Sequence, residues 1–238
     1  AHRVWDAGVG GSSPPTPTQN SHPTGWLFPH KKVTSMSRPV LELPPTPTLD
    51  LEQILWQAGV AHIAGLDEAG RGAWAGPVAA AAVILPPGCL QTLSGVRDSK
   101  QMTARQRTQS AILIRQQAIA WGVGMASALE IDTLGIVPAT RLAMQRALDS
   151  MQHTANHLLI DALRLPALST PQTALVKGDR RSLSIAAASV LAKTSRDALL
   201  CEMEHNFPGY GFAQHKGYGT AAHRTALAHL GACPQHRQ

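Results

Sequence analysis

The longest hydrophobic run, Val78 to Leu85, is apolar at every position. That pattern predicts a strand buried on both faces of a sheet rather than one with a wet side. Pro86-Pro87-Gly88 stops it. Four further runs read as strands: Ile63 to Leu66, Ala118 to Ser127 interrupted by Gly122 and Gly124, His157 to Ile160, and Thr173 to Val176. Between them the period lengthens to that of a helix. Leu51 to Gly59 predicts a short helix, and Thr103-x-x-Gln106 has the form of a capping box for a helix reaching Gln117. Pro138 suits the first residue of a helix striped by Met144, Ala147, Leu148 and Met151. A long helix follows from Ser184 to Asn206, with Ala187, Val190, Leu191, Thr194, Ala198 and Cys201 on one face and Lys193, Arg196, Asp197 and Glu204 on the other. Pro208-Gly209 ends it, and an irregular loop through Gly219 leads to a last helix capped by Thr220. Strands mixed with helices give an α/β layer architecture.

Three of the strands end on acids: Asp67 and Glu68 after the first, Asp161 after the fourth, and Asp179 just past the fifth. Asp67 and Glu68 run straight into Ala69-Gly-Arg-Gly72. Successive strand residues face opposite ways, so both acids serve one site only if the strand ends or bends between them, and Ala69-Gly70 can supply the bend. Gathered carboxylates repel one another unless a cation neutralises them. Two divalent ions about 3.5 to 4 Å apart would do so and would set up phosphoryl transfer to water. The blander reading makes each acid a solvated turn or cap residue. Gly70-x-Gly72-x-x-x-Gly76 also resembles a dinucleotide fingerprint, but its last spacing is one residue too long and Pro77 with a strand follows where a helix should open.

Charge and composition sharpen this picture. The first 50 residues hold 9 of the 17 prolines and 11 Ser and Thr, with no apolar period, which predicts a disordered tail over 1–50 and a folded domain over 51–238. That domain carries 17 Lys and Arg against 12 Asp and Glu, a basic surface around a small acidic site, as a polyanionic substrate requires. No apolar run approaches the roughly 20 residues of a membrane span, and no signal-peptide pattern is visible. Three widely spaced cysteines, Cys89, Cys201 and Cys233, fit neither a disulfide framework nor a zinc site. A monomer in a reducing cytoplasm is the expectation.

Six motifs now stand in order: Asp67-Glu-Ala-Gly-Arg-Gly72 with Ala75-Gly-Pro-Val78; Asp98-Ser-Lys100; Leu159-Ile-Asp161; Lys177-Gly-Asp179; Ser184 to Ser189 with Ala192-Lys193 and Arg196-Asp197; and Gly209-Tyr-Gly211 with His215-Lys-Gly-Tyr-Gly-Thr220. Together they resemble bacterial ribonuclease HII from about Ile63 to His223. The resemblance implies a ribonuclease H-like fold, a five-stranded mixed sheet flanked by helices with a C-terminal helical segment. It implies hydrolysis of the RNA strand of RNA–DNA hybrids and incision 5′ of ribonucleotides embedded in duplex DNA, leaving 5′-phosphate and 3′-hydroxyl ends, with two Mg²⁺ or Mn²⁺ ions as cofactors. The family's metal-binding catalytic acids fall on Asp67, Glu68, Asp161 and Asp179. Its 2′-hydroxyl reader falls on Gly70, Arg71 and Gly72, and its junction-sensing tyrosine on Tyr218.

Both substrate assignments have a physical basis. The 2′-OH is a donor and acceptor found only on RNA, a glycine turn lets backbone groups approach it, and a tyrosine offers a ring to pack on a sugar. Lys100, Lys193 and Lys216, with Arg71, are candidate phosphate contacts. Asp197 lies four residues after Lys193, where an ion pair is expected. Lys177 is read as a brace for the acidic turn, and His215 and His223 as structural or solvent-facing. The chain departs from the family pattern at Ala73-Trp74, where Pro-Leu is usual, at Gly135, where Asn is common, and in its first 50 residues. The rival readings are another two-metal nuclease on the same fold and a non-catalytic basic module that binds nucleic acid.

Overall fold

The computed structural model describes residues 43–238. Seven helices and five strands follow one another as α1 (Asp50–Gln57), β1 (Ile63–Ala69), β2 (Val78–Ile84), α2 (Ala104–Gln117), β3 (Ala120–Ala126), α3 (Ala128–Leu134), α4 (Ile136–Asp149), β4 (His157–Asp161), β5 (Gln172–Leu175), α5 (Leu183–Asn206), α6 (Phe212–His215) and α7 (Ala221–Leu230). The strands form one mixed sheet of order β3-β2-β1-β4-β5. β1 is antiparallel to β2 and parallel to β4, while β2–β3 is antiparallel and β4–β5 parallel.

Helices cover both faces of β2, as its unbroken apolar run requires. Ala81, Val83 and Leu85 point into a core shared with α2 and with Ala187, Val190 and Leu191 of α5. Val78, Ala80, Ala82 and Ile84 face Ala139, Ala143, Met144 and Ala147 of α4. Small side chains let both helices lie close. Gly122 and Gly124, read from sequence as interruptions of β3, are points of contact: a Cβ at either would come within 2.1 to 2.3 Å of an α4 carbonyl oxygen. On the opposite face, a Cβ at Gly65 would lie 2.1 Å from the Ser184 backbone, so the start of α5 rests on β1 two residues before Asp67.

That start is fastened from α1. Glu52 is buried, and its Oε1 accepts from the hydroxyls of Ser182 and Ser184, both at 2.6 Å, and from the Ser184 N–H. A carboxylate at a helix N-terminus also faces the positive end of the dipole.

Several sequence expectations need correcting. Ser127 is not strand: it caps α3, taking the Glu130 N–H while the Glu130 carboxylate takes the Ser127 N–H. α4 opens on Ile136, so Pro138 is its third residue, still within the first turn where its missing N–H costs nothing. β5 ends at Leu175, and Val176 is exposed. The boundary at residue 50 is also late. Thr48 bridges to Ser182 and Leu49 is buried in the core, so both belong to the fold. The rest of the tail expectation, residues 1–42, lies outside the described residues. No described helix is long and apolar enough to cross a membrane.

Candidate active site

Parallel pairing places the first acids. Leu66 is in register with Ile160, so the next residues, Asp67 within β1 and Asp161 at the end of β4, lie side by side; β1 does not stop at Leu66 as its sequence suggests but stays paired with β2 through Glu68 to Ala69. β5 then runs past Asp161 into a 3₁₀ turn, Gly178–Arg180, entered by Lys177 in the left-handed conformation (φ 55°). Gly178 N–H donates to Asp161 Oδ1 at 2.7 Å, which ties this turn to the end of β4 and brings the buried Asp179 to the same edge. Lys177 itself is exposed, so it shapes the acidic turn through its backbone rather than bracing it with its ammonium.

The electrostatics are those of crowded carboxylates. Burial, and then Glu68 and Asp161, push the Asp67 pKa well above the carboxylate range, with the Ser189 hydroxyl opposing. Burial raises Glu68 too, and Arg71 opposes. Asp179 is pushed up to about 6 by burial, then by Asp98 and Asp161. Lys100 answers them: burial opposes its charge, yet Asp67, Asp98, Asp179 and Asp161 together raise its pKa. Asp98, read from sequence only as part of the Asp98-Ser-Lys100 motif, is therefore a fifth acid at this edge. The Ser99–Ser189 hydroxyl pair, 2.9 Å apart, joins its loop to α5.

Among the described residues, no three His, Cys, Asp or Glu side chains stand close enough to hold a metal ion as they lie. Asp67, Glu68, Asp98 and Asp161 are each turned onto a local partner. Glu68 Oε1 accepts from Arg71 Nη1 at 3.0 Å, and Asp67 Oδ1 accepts from the Glu68 N–H at 2.7 Å. Glu68 Oε2 is buried with no hydrogen-bond partner. An orphaned carboxylate oxygen among mutually repelling, oxygen-only donors fits a hard divalent cation.

The turn after β1 is held from below by a residue that sequence reading placed on the outer face of α5. Arg196 is fully buried. Its fork donates to the carbonyls of Pro77 and Lys216, both at 2.8 Å, and of Ala75 at 3.0 Å. With each of its three nitrogens donating to a carbonyl, the guanidinium can be buried without a carboxylate. Gly70 (φ 92°) sits directly over it, and a Cβ there would fall 2.0 Å from Arg196 Nε.

Tyr218 is half-buried, its ring 5.4 Å from the Arg196 guanidinium and 5.5 Å from Lys193 Nζ. Lys193 makes the expected ion pair with Asp197 at 2.7 Å. Lys216 does not face the acids, because its ammonium donates to the Ala213 carbonyl and approaches Cys201 Sγ at 3.3 Å. His215 and His223 are structural, with rings stacked 4.2 Å apart behind the Tyr218 loop.

A mixed five-stranded sheet whose adjacent strand ends collect carboxylates, with a long helix behind them, defines a hydrolase of the ribonuclease H-like class. The family model described as Ribonuclease HII matches residues 64–238, and the chain belongs to that family. It is 54% identical to the ribonuclease HII of Chloroflexus aurantiacus over 195 residues, 81% of this chain and 92% of that protein. Its identity to the ribonuclease HII of Syntrophotalea carbinolica is also 54%, over 79% of this chain and 90% of that one. Among solved structures, the ribonuclease H2 of Pyrococcus horikoshii superposes with a TM-score of 0.62 at 22% identity, covering 74% of this chain and 92% of that one, which shows the shared fold. The chain is therefore a ribonuclease H endonuclease of a divalent-metal-dependent family.

Proposed function

We propose that Asp67, Glu68, Asp161 and Asp179 are the catalytic acids of this enzyme, and that it cleaves the RNA strand of RNA–DNA hybrids and incises 5′ of single ribonucleotides in duplex DNA. The observation that carries this reading is the convergence of these acids from β1, β4 and the turn after β5, with the orphaned Glu68 Oε2 among them. Two divalent ions, Mg²⁺ or Mn²⁺, held by these four residues would supply the charge that stabilises phosphodiester hydrolysis by water, with a 5′-phosphate and a 3′-hydroxyl as products.

The chain's own groups do the rest. Arg71 restrains Glu68, so its release is part of assembling the site. Lys100, whose ammonium the acids of this edge favour, would contact a phosphate there. The Gly70–Arg71–Gly72 turn presents backbone groups to the 2′-OH, and Tyr218 offers ring and hydroxyl to the adjoining sugar. Lys193 supports Tyr218 from the side. Lys216 serves in binding only by leaving the Ala213 carbonyl.

The test is cleavage of DNA duplexes containing no, one or four consecutive ribonucleotides, with and without Mg²⁺. Metal-dependent incision of the last two and not of the first is expected. Metal-independent cleavage, or cleavage of the all-DNA duplex, refutes the reading. Binding without cleavage in Mg²⁺ and in Mn²⁺ would favour the non-catalytic module.

A further inference from the structure

The last six residues, Cys233–Gln238, fold back onto the turn that follows β1. Gly76 N–H donates to the Gln235 carbonyl at 2.8 Å, Arg237 N–H donates to the Trp74 carbonyl at 2.8 Å, and Ala75 and His236 form an antiparallel bridge between them. The Arg237 fork then reaches into the turn. Nε and Nη2 donate to the Gly76 carbonyl at 2.9 and 2.8 Å, and Nη1 donates to the Arg71 carbonyl at 2.9 Å.

The last bond fixes a direction. In a trans peptide the C=O and the following N–H point opposite ways. Holding the Arg71 carbonyl inward therefore turns the Gly72 N–H outward. Gly72 is exposed, and no described residue accepts from its N–H.

The neighbouring residue holds the other loop. His236 Nδ1 takes the Cys233 N–H at 3.0 Å, which leaves the ring proton on Nε2. That nitrogen lies 3.0 Å from His223 Nε2. His223 in turn faces the Tyr218 carbonyl through Nδ1 at 3.1 Å, and since a carbonyl only accepts, Nδ1 carries the proton and Nε2 accepts from His236. The Trp74 and Ala75 N–H groups close the frame on the Gly217 carbonyl at 2.8 and 3.2 Å.

We infer that Arg237 and His236 are positioning residues: a C-terminal clasp that aims the Gly72 amide and holds the Tyr218 loop at a fixed distance from it. This rests on the proposed roles of Gly70–Gly72 and Tyr218. The clasp is needed most on a duplex with one ribonucleotide, which offers a single 2′-OH and a single junction, so both readers must be met in one register. A continuous hybrid offers a 2′-OH at every step, and a displaced turn still finds one.

The experiment measures kcat and KM for the full chain on both substrates, with thermal midpoints. Arg237→Met should lose roughly ten- to a hundredfold in kcat/KM on the single-ribonucleotide duplex, the scale of a misplacement of about an ångström. The loss on the hybrid should be several-fold smaller. Arg237→Lys, which can still hold one carbonyl, should fall between. His236→Phe keeps a ring beside Tyr210 and Phe212 and removes the Nε2 bond to His223 together with the Nδ1 bond from the Cys233 N–H, so it tests the Tyr218 arm should the arginine variants not fold. Equal losses on both substrates, losses that track the thermal midpoint, or unchanged ratios overturn the clasp while wild-type incision leaves the proposed function standing. Wild-type failure to incise the single ribonucleotide overturns both.

Discussion

Two polar clusters flank α5, and they are built on opposite rules. At one edge of the sheet, Asp67, Glu68, Asp98, Asp161 and Asp179 gather beside Lys100, and burial raises the pKa of three of them. Behind the turn, His215, His223 and His236 pack with Phe212 and Tyr210, with their ring nitrogens paired. The first cluster costs the fold stability and the second supplies it. The proposed site lies where the chain is least satisfied, and the rigid frame where it is most satisfied.

The largest effect that tests this contrast is on the acid side. Asp67→Asn or Asp161→Asn should abolish hydrolysis while duplex binding persists, because Lys and Arg contacts to phosphate supply most of the affinity. Asp67→Asn should also raise the thermal midpoint without divalent metal, since it removes a buried, repelled charge. Near-wild-type cleavage by either variant would remove the assignment of the acids, and a lowered midpoint would show that Asp67 supports the fold.

The opposite response is expected beside the clasp. Arg196→Met strands the carbonyls of Ala75, Pro77 and Lys216 in the interior, at a cost on the order of 3 kcal/mol by the usual penalty for unpaired buried groups. Urea unfolding measures it. A loss below about 1 kcal/mol, within the range of an ordinary surface change, would mean that the three bonds are replaced by water.

Without metal, pH should separate the two clusters by sign. Asp179 titrates at about 6 in the fold, above the ordinary carboxylate near 3.9, so its contribution to stability is lost as pH rises through that window. Burial lowers the pKa of His223 and His236, so their contribution is present above about 6.5 and is lost as pH falls below it. Arg237, itself lowered to about 10 by burial and then by Arg196, keeps its charge throughout and disfavours a second cation. Millimolar Mg²⁺ should relieve the loss that accompanies rising pH and leave the loss on falling pH unchanged in thermal scans. A histidine limb that Mg²⁺ also relieves would show that the two clusters are not independent.

The acid edge was legible in the sequence because its signals are local: a period of two, a run buried on both faces, and acids at strand ends. The clasp was not. Arg237 meets Gly76 across a separation of 161 residues, and no spacing rule connects them. Its charge points Arg196 to the outer face when only the sequence is read. Its place four residues after Ala192 and four before Leu200, both buried, was the signal that it faces inward. Ser127 was absorbed into β3 although Ser127-x-x-Glu130 repeats the capping pattern recognised at Thr103. Asp98 sat in a recognised motif, but only the packing of its loop against α5 through Ser99 and Ser189 brings it to the site.

The smallest predicted effect lies at the seam of the two regions, on Tyr218. Its backbone carbonyl belongs to the histidine cluster, while its ring faces Lys193 and Arg196. Tyr218→Phe keeps the ring over both cations and removes only the hydroxyl, so single-ribonucleotide incision should fall by roughly 0.5 to 1.5 kcal/mol in transition-state free energy, the worth of one neutral hydrogen bond. Tyr218→Ala also removes the surface on which a sugar would pack and should fall further. It leaves Lys193 and Arg196 without their aromatic neighbour, so its thermal midpoint has to be measured beside its activity. Hybrid cleavage should suffer less than single-ribonucleotide incision in both variants, because most positions of a hybrid have no junction to read. Equal losses on the two substrates would make Tyr218 a packing residue of the clasp rather than a reader of the junction.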